Sequence, residues 1–145
     1  MKDNYIFDKA KYHFESVEGE GLPMEQAYVH TGMYFGWLLE HGFCNKEFYP
    51  ASVVQDFKSR RITGPELFEQ DDGVLMSELL TEEGDAFSRA YFDFESGQYI
   101  KDYEELVTGE GAEIFSGKDT WENYEKISAR IEERFAQWKA APQGR

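Results

Sequence analysis

Cysteine is almost missing from this chain of 145 residues: Cys44 stands alone, and one thiol cannot close an internal disulfide. Long apolar runs are missing too. The longest spans residues 33–39, is broken by Gly36, and falls far short of the roughly twenty residues that cross a bilayer. No basic segment followed by an apolar stretch opens the chain, so no secretion signal is expected. Together these absences predict a reduced, cytoplasmic protein.

Positive charge is scarce in one region. Residues 66–113 carry fifteen acids and only two bases, Arg89 and Lys101, which accounts for −13 of the formal net charge of −14. The segments on either side are nearly balanced, at −2 for residues 1–65 and +1 for residues 114–145. Such a layout speaks against nucleic acid or an anionic membrane as direct partners, since both demand clustered Lys and Arg. It leaves three readings open: a basic protein partner, a bound cation, or charge that serves only solubility.

Leu, Ile, Val and Phe together number 32, near the lower edge for a globular protein. The 24 aromatic residues make up the deficit, because each buries a large area. At this length a single domain spanning 1–145 is expected, with frayed ends at about 1–4 and 140–145.

Along the chain, helical signals dominate. Asp8 reads as the cap of a short N-terminal helix. After Pro23, apolar residues recur at helical spacing through Val29, Met33, Tyr34, Trp37 and Leu38, which predicts a central buried helix ending near Gly42. Asn45 reads as the cap of a second helix that Pro50 either bends or restarts, facing inward with Val53, Val54 and Phe57. Thr63 and Thr81 each read as caps, the latter before an acidic first turn. Residues 74–80 fit strand or helix, with helix preferred, and 98–107 forms a further helix. Residues 108–117 read as a loop or a short strand. Asp119 with Glu122 suggests a capping box opening the last helix, marked by Trp121, Tyr124, Ile127, Ile131, Phe135 and Trp138. The expected fold is mainly α, a single compact helical domain of about five to seven helices around an aromatic-rich core.

Motifs with fixed chemistry are lacking as well. His-Glu-x-x-His, paired cysteines, the calcium loop, the P-loop and the nucleophile elbow do not occur. His30 and His41 share a helical stripe but stand eleven residues apart, roughly 16 Å along a helix, too far to chelate one ion. No catalytic residue, metal ligand or cofactor is therefore expected.

What remains is the stretch 91–106, where Tyr91, Phe92, Phe94, Tyr99, Ile100 and Tyr103 alternate with acids. One reading turns the rings inward and leaves the acids solvated. The sharper one sets tyrosines on the surface beside carboxylates, where rings anchor a partner and charge steers it. The expected partner-binding residues are Asp93, Glu95, Tyr99, Asp102, Tyr103 and Glu105, with Glu69, Asp71 and Asp72 as outlying acids.

Several segments resemble a family of small, uncharacterised bacterial cytoplasmic proteins. They are Asp8-Lys-Ala-Lys-Tyr-His-Phe-Glu15, Ala27-Tyr-Val-His-Thr-Gly-Met33 with Gly36-Trp-Leu38, Ile62-Thr-Gly-Pro65, Phe92-Asp-Phe-Glu-Ser-Gly-Gln-Tyr99 and Asp119-Thr-Trp-Glu-Asn-Tyr124. The resemblance runs from Tyr5 to about Trp138 and carries no catalytic residues. By analogy, small acidic proteins of this kind serve as immunity partners of toxins. The leading expectation is thus an immunity-type inhibitor that neutralises a basic toxin or enzyme. The alternatives are a small metal-assisted hydrolase using His30 or His41, and a homo-oligomeric structural or regulatory subunit; oligomeric state stays open.

Overall fold

The structure is a computed structural model that describes residues 4–93, 97–109, 112 and 114–141. It is mainly α-helical, with seven α-helices and one two-stranded sheet among the described residues. No helix there is long and apolar enough to cross a membrane.

The centre is α2 (Gln26–Glu40), whose residues 29–39 are all buried. A helix apolar on every side must be surrounded, and three others surround this one. Helix α4 (Gly64–Gln70) crosses it so closely that a Cβ on Gly32 would lie 2.4 Å from the Cα of Pro65, and one on Gly64 2.3 Å from the carbonyl oxygen of Gly32. Helix α3 (Ala51–Lys58) sends Phe57 against Gly36. Helix α7 (Trp121–Ala140) adds Tyr124, Ile127 and Ile131 to the core, with Phe135 tilted on Trp37 and edge-on to Phe87.

Local capping chemistry sets several ends. The Thr63 hydroxyl accepts from the Glu66 amide while the Glu66 carboxylate accepts from the Thr63 amide, a complete capping box. Thr81 caps α5 (Glu82–Tyr91) by accepting from the Gly84 amide. At α7 the cap is Thr120, which accepts from the Asn123 amide, and not Asp119. The Asp119 carboxylate instead accepts the Thr63 hydroxyl proton at 2.6 Å, tying the starts of α4 and α7 together.

Three further expectations are corrected. Residues 74–80 are not helical throughout: Val74–Met76 is strand β2, followed by a 3-10 turn. Asp8 caps no helix but lies in strand β1 (Ile6–Lys9), which leads through a 3-10 turn at Ala10–His13 into α1 (Phe14–Gly19). The two strands pair antiparallel across about 70 residues of sequence, a partnership no local pattern encodes. Finally, the stretch 108–117, read as a loop or short strand, carries a 3-10 turn at Ile114–Ser116, while the helix expected over 98–107 is present as α6 (Tyr99–Tyr103) and continues as a π-type turn over Glu104–Thr108.

The β1–β2 pair is irregular. Its register shifts between Ile6 and Asp8, so Phe7 and Asp8 are both buried while Ile6 is exposed. Regular alternation would have put Asp8 on the side of Ile6, in water. The bulge turns the carboxylate inward instead.

Candidate functional site

The acids and tyrosines of 91–106 do not form the expected surface. Tyr99 and Tyr103 are fully buried, because α6 lies between α2 and α7 with both rings facing the core. The Tyr99 hydroxyl donates to the His30 carbonyl. Asp102 is buried as well, held by Arg130 and Arg134 of α7 at 2.9–3.0 Å and by the Tyr91 hydroxyl at 2.7 Å. These three positions belong to the interior, and the reading that turned the rings inward is the one observed. Burial alone would raise the Asp102 carboxyl, but hydrogen bonds from Arg134, Tyr91 and Arg130, with the charge of Arg134, hold it below the usual range. Glu105 is exposed and ion-paired with Arg130. Asp93 is half-buried, 3.4 Å from the hydroxyl of the exposed Tyr5. Glu95 lies outside the described residues.

The outlying acids fare differently. Glu69, Asp71 and Asp72 are exposed along the end of α4 and the turn after it. The Asp71 carboxylate accepts from the Tyr49 hydroxyl. The Tyr28 phenol is raised first by burial and then by the negative charges of Glu69 and Asp72.

Glu69 also lines a cleft of about 330 Å³ with Glu25, Gln26, Glu66, Lys118 and Asp119. Four carboxylates thus face one ammonium group. Their crowding registers on Asp119: burial pushes its carboxyl up, the Thr63 hydrogen bond opposes this, and the charges of Glu66 and Glu25 push it further up. Gln26 fixes the cleft wall by donating to the Gly117 carbonyl at 2.7 Å, while its Oε1 is buried without a partner among the described residues. The cleft exists because α2 and α4 cross at glycines, which draws Glu25 and Glu66 together, and because Thr63 holds Asp119 beside them. The sequence marks these acids individually; it gives no sign that they converge.

A second constellation was hidden more deeply. Asp8, His13 and His30 present ligand-type atoms that all lie within 4.8 Å of one another, the one such group of three among the described residues. Asp8 Oδ1 stands 2.8 Å from His13 Nε2, and Oδ2 3.8 Å from His30 Nε2. Thr31, next to His30 on α2, donates its hydroxyl to Asp8 Oδ2 at 2.6 Å. The imidazoles meet edge to face at 4.7 Å, and Phe115 packs on both. Burial drives His30 down to about 4, with the Asp8 charge pulling it up and His13 pushing it down, so the ring is neutral at physiological pH. His41 takes no part. Its Nδ1 lies 2.9 Å from the Trp37 carbonyl and its Nε2 pairs with Glu132, a helix-end role. The stripe shared by His30 and His41 excluded joint chelation but did not bring His30 together with His13 or Asp8; the only hint of the observed group was a carboxylate and an imidazole five residues apart at the start of the chain.

The family model described as Domain of unknown function (DUF7832) matches residues 6–116. No curated protein and no solved structure matches the chain.

Proposed function

The chain belongs to the family of that domain of unknown function, and we propose that it is an acidic protein-binding module whose cleft between α2, α4 and the start of α7 receives a basic partner. The observation that carries this reading is the convergence of Glu25, Glu66, Glu69 and Asp119 around one cleft, opposed among the described residues by Lys118 alone. Repelling carboxylates gain free energy when a cation enters between them, and a lysine or arginine side chain from a partner is of the right charge and size. Asp71 and Asp72 extend the negative field along the same helix end and steer the approach. The partner-binding set therefore keeps Glu69, Asp71 and Asp72, gains Glu25, Glu66 and Asp119, and loses the buried tyrosines as anchors.

Within this reading the role that best suits a small acidic domain is that of a cytoplasmic, bacterial immunity-type inhibitor of a basic toxin or enzyme. Its support is the charge layout together with a cation-sized cleft. The test is capture from the native cell at low and at high salt. Wild-type protein should retain a basic protein at low salt and release it as salt rises. A Glu25→Gln, Glu69→Gln, Asp72→Asn variant, which spares the capping-box Glu66, should retain at least about tenfold less. Equal capture by that variant would sink the proposal.

A further inference from the structure

Independently of the acidic cleft, we propose that Asp8, His13 and His30 form a binding site for a transition-metal dication of the zinc type. The donor atoms come from strand β1, the 3-10 turn that directly follows it, and, well along the chain, the second turn of α2. Two imidazole nitrogens and one carboxylate are the donor set that zinc and its first-row neighbours favour, whereas magnesium and calcium prefer oxygen throughout.

The spacing fits one ion. Donors about 2.0–2.1 Å from a tetrahedral zinc lie roughly 3.3–3.4 Å from each other. One donor atom from each of the three residues lies within 4.8 Å of the other two, with His13 Nε2 2.8 Å from Asp8 Oδ1 and His30 Nε2 3.8 Å from Asp8 Oδ2. Side-chain rotations that draw the set in by about 1–1.5 Å at most bring it to that spacing. The His13 Nε2 that now faces Asp8 becomes a ligand by moving its ring proton to Nδ1, so no backbone change is needed.

The surroundings of the group are those of a held ligand set. Thr31 donates to one carboxylate oxygen of Asp8, which leaves Oδ1 turned toward His13, an outer hydrogen bond of the sort that orients metal-binding carboxylates. Phe115 lies against both imidazoles and Tyr103 edges on to His30, so the rings have little freedom to turn. The strand bulge is what delivers the Asp8 carboxylate to this place at all. His13 is 17% exposed against 1% for the other two, so the route past His13 is the open one for an ion. A bound ion would fasten the first strand to the central helix.

The test uses the whole protein after treatment with a chelator, titrated with Zn²⁺ by calorimetry and with Co²⁺ by visible absorption. The expected result is one ion per chain, a Co²⁺ spectrum with the strong visible bands of a four-coordinate site, and a higher thermal midpoint with Zn²⁺. Asp8→Asn risks the fold, so the decisive variant is His13→Gln, on the accessible turn. It should weaken binding at least about tenfold and abolish the thermal shift, and Thr31→Val should weaken binding about tenfold through the carboxylate it orients. His41→Gln, at the other end of α2, should bind as wild type does. Binding of less than one ion per chain, or equal binding by wild type and His13→Gln, would overturn the assignment.

Discussion

Asp102 is a carboxylate with only 3% of its surface in water, yet it is kept ionised by two guanidinium groups and a phenol. Such a group contributes to stability only while its partners and its charge are both present. Because its folded-state pKa lies below the ordinary value of about 4, its contribution is complete above that value and is lost as pH falls below it. Asp102→Asn should therefore cost about 3 kcal/mol at neutral pH, since it leaves Arg130 and Arg134 half-buried without their shared anion. Urea denaturation at several pH values checks this: the difference between wild type and variant should be steady near neutrality and shrink below about pH 4. A difference that grows on acidification would contradict the assigned sign.

At the scale of elements, the crossing of α2 and α4 fixes the rest. Gly32 and Gly64 let the two backbones touch, and the cleft acids sit where they do because of that contact. Gly32→Ala puts a methyl group against the Pro65 backbone, where nothing flexible can yield, and should cost roughly 2–3 kcal/mol in thermal or urea melts. Gly19→Ala makes a useful contrast, since no atom lies within 4 Å of its added Cβ; it should be neutral or slightly stabilising. The same comparison shows what the sequence could reveal. Thr63 with Glu66 and Thr81 were legible because a cap is a contact between residues three apart. The Asp119 cap was misplaced by one residue because Asp119 and Thr120 are both good caps, and the distant Thr63 hydroxyl chose between them. Strand β2 looked helical because its partner β1 lies far away in the chain. The Asp8–His13–His30 group was illegible for the same reason, compounded by a bulge that reverses which way Asp8 faces.

Across the whole molecule, the acids of residues 66–113 that the structure describes are spread over several elements, from α4 to α5 and α6. Part of their charge is neutralised from outside that segment: Arg130 takes up Asp102 and Glu105, and Lys139 takes up Glu83. All three bonds come from α7, which lies beyond the 6–116 region shared with the family. Glu66, Glu69, Asp71 and Asp72 stay exposed on α4 and the turn after it. The aromatic excess went inward, into ring clusters: Phe57 with Trp121 and Tyr124, and a larger web that joins Tyr34, Trp37, Phe87, Tyr91, Tyr99, Phe135 and Trp138. The tyrosines of 91–106 were absorbed by that web, which explains why composition alone suggested too much surface.

Cys44 provides a way to watch this interior come apart. It is the chain's sole thiol, 6% exposed, and burial pushes it well above the usual thiol range, so almost none of it is nucleophilic in the folded state. An alkylating reagent such as iodoacetamide should leave native protein nearly untouched over hours while modifying denatured protein within minutes. The site bridges to Leu80, beside the Thr81 cap and the start of α5, so its labelling rate acts as a stopwatch for that corner. Read by mass spectrometry, Gly32→Ala should run the stopwatch faster by the factor its lost stability implies. Fast labelling of the intact wild type would mean that the centre of this protein breathes far more than its packing allows.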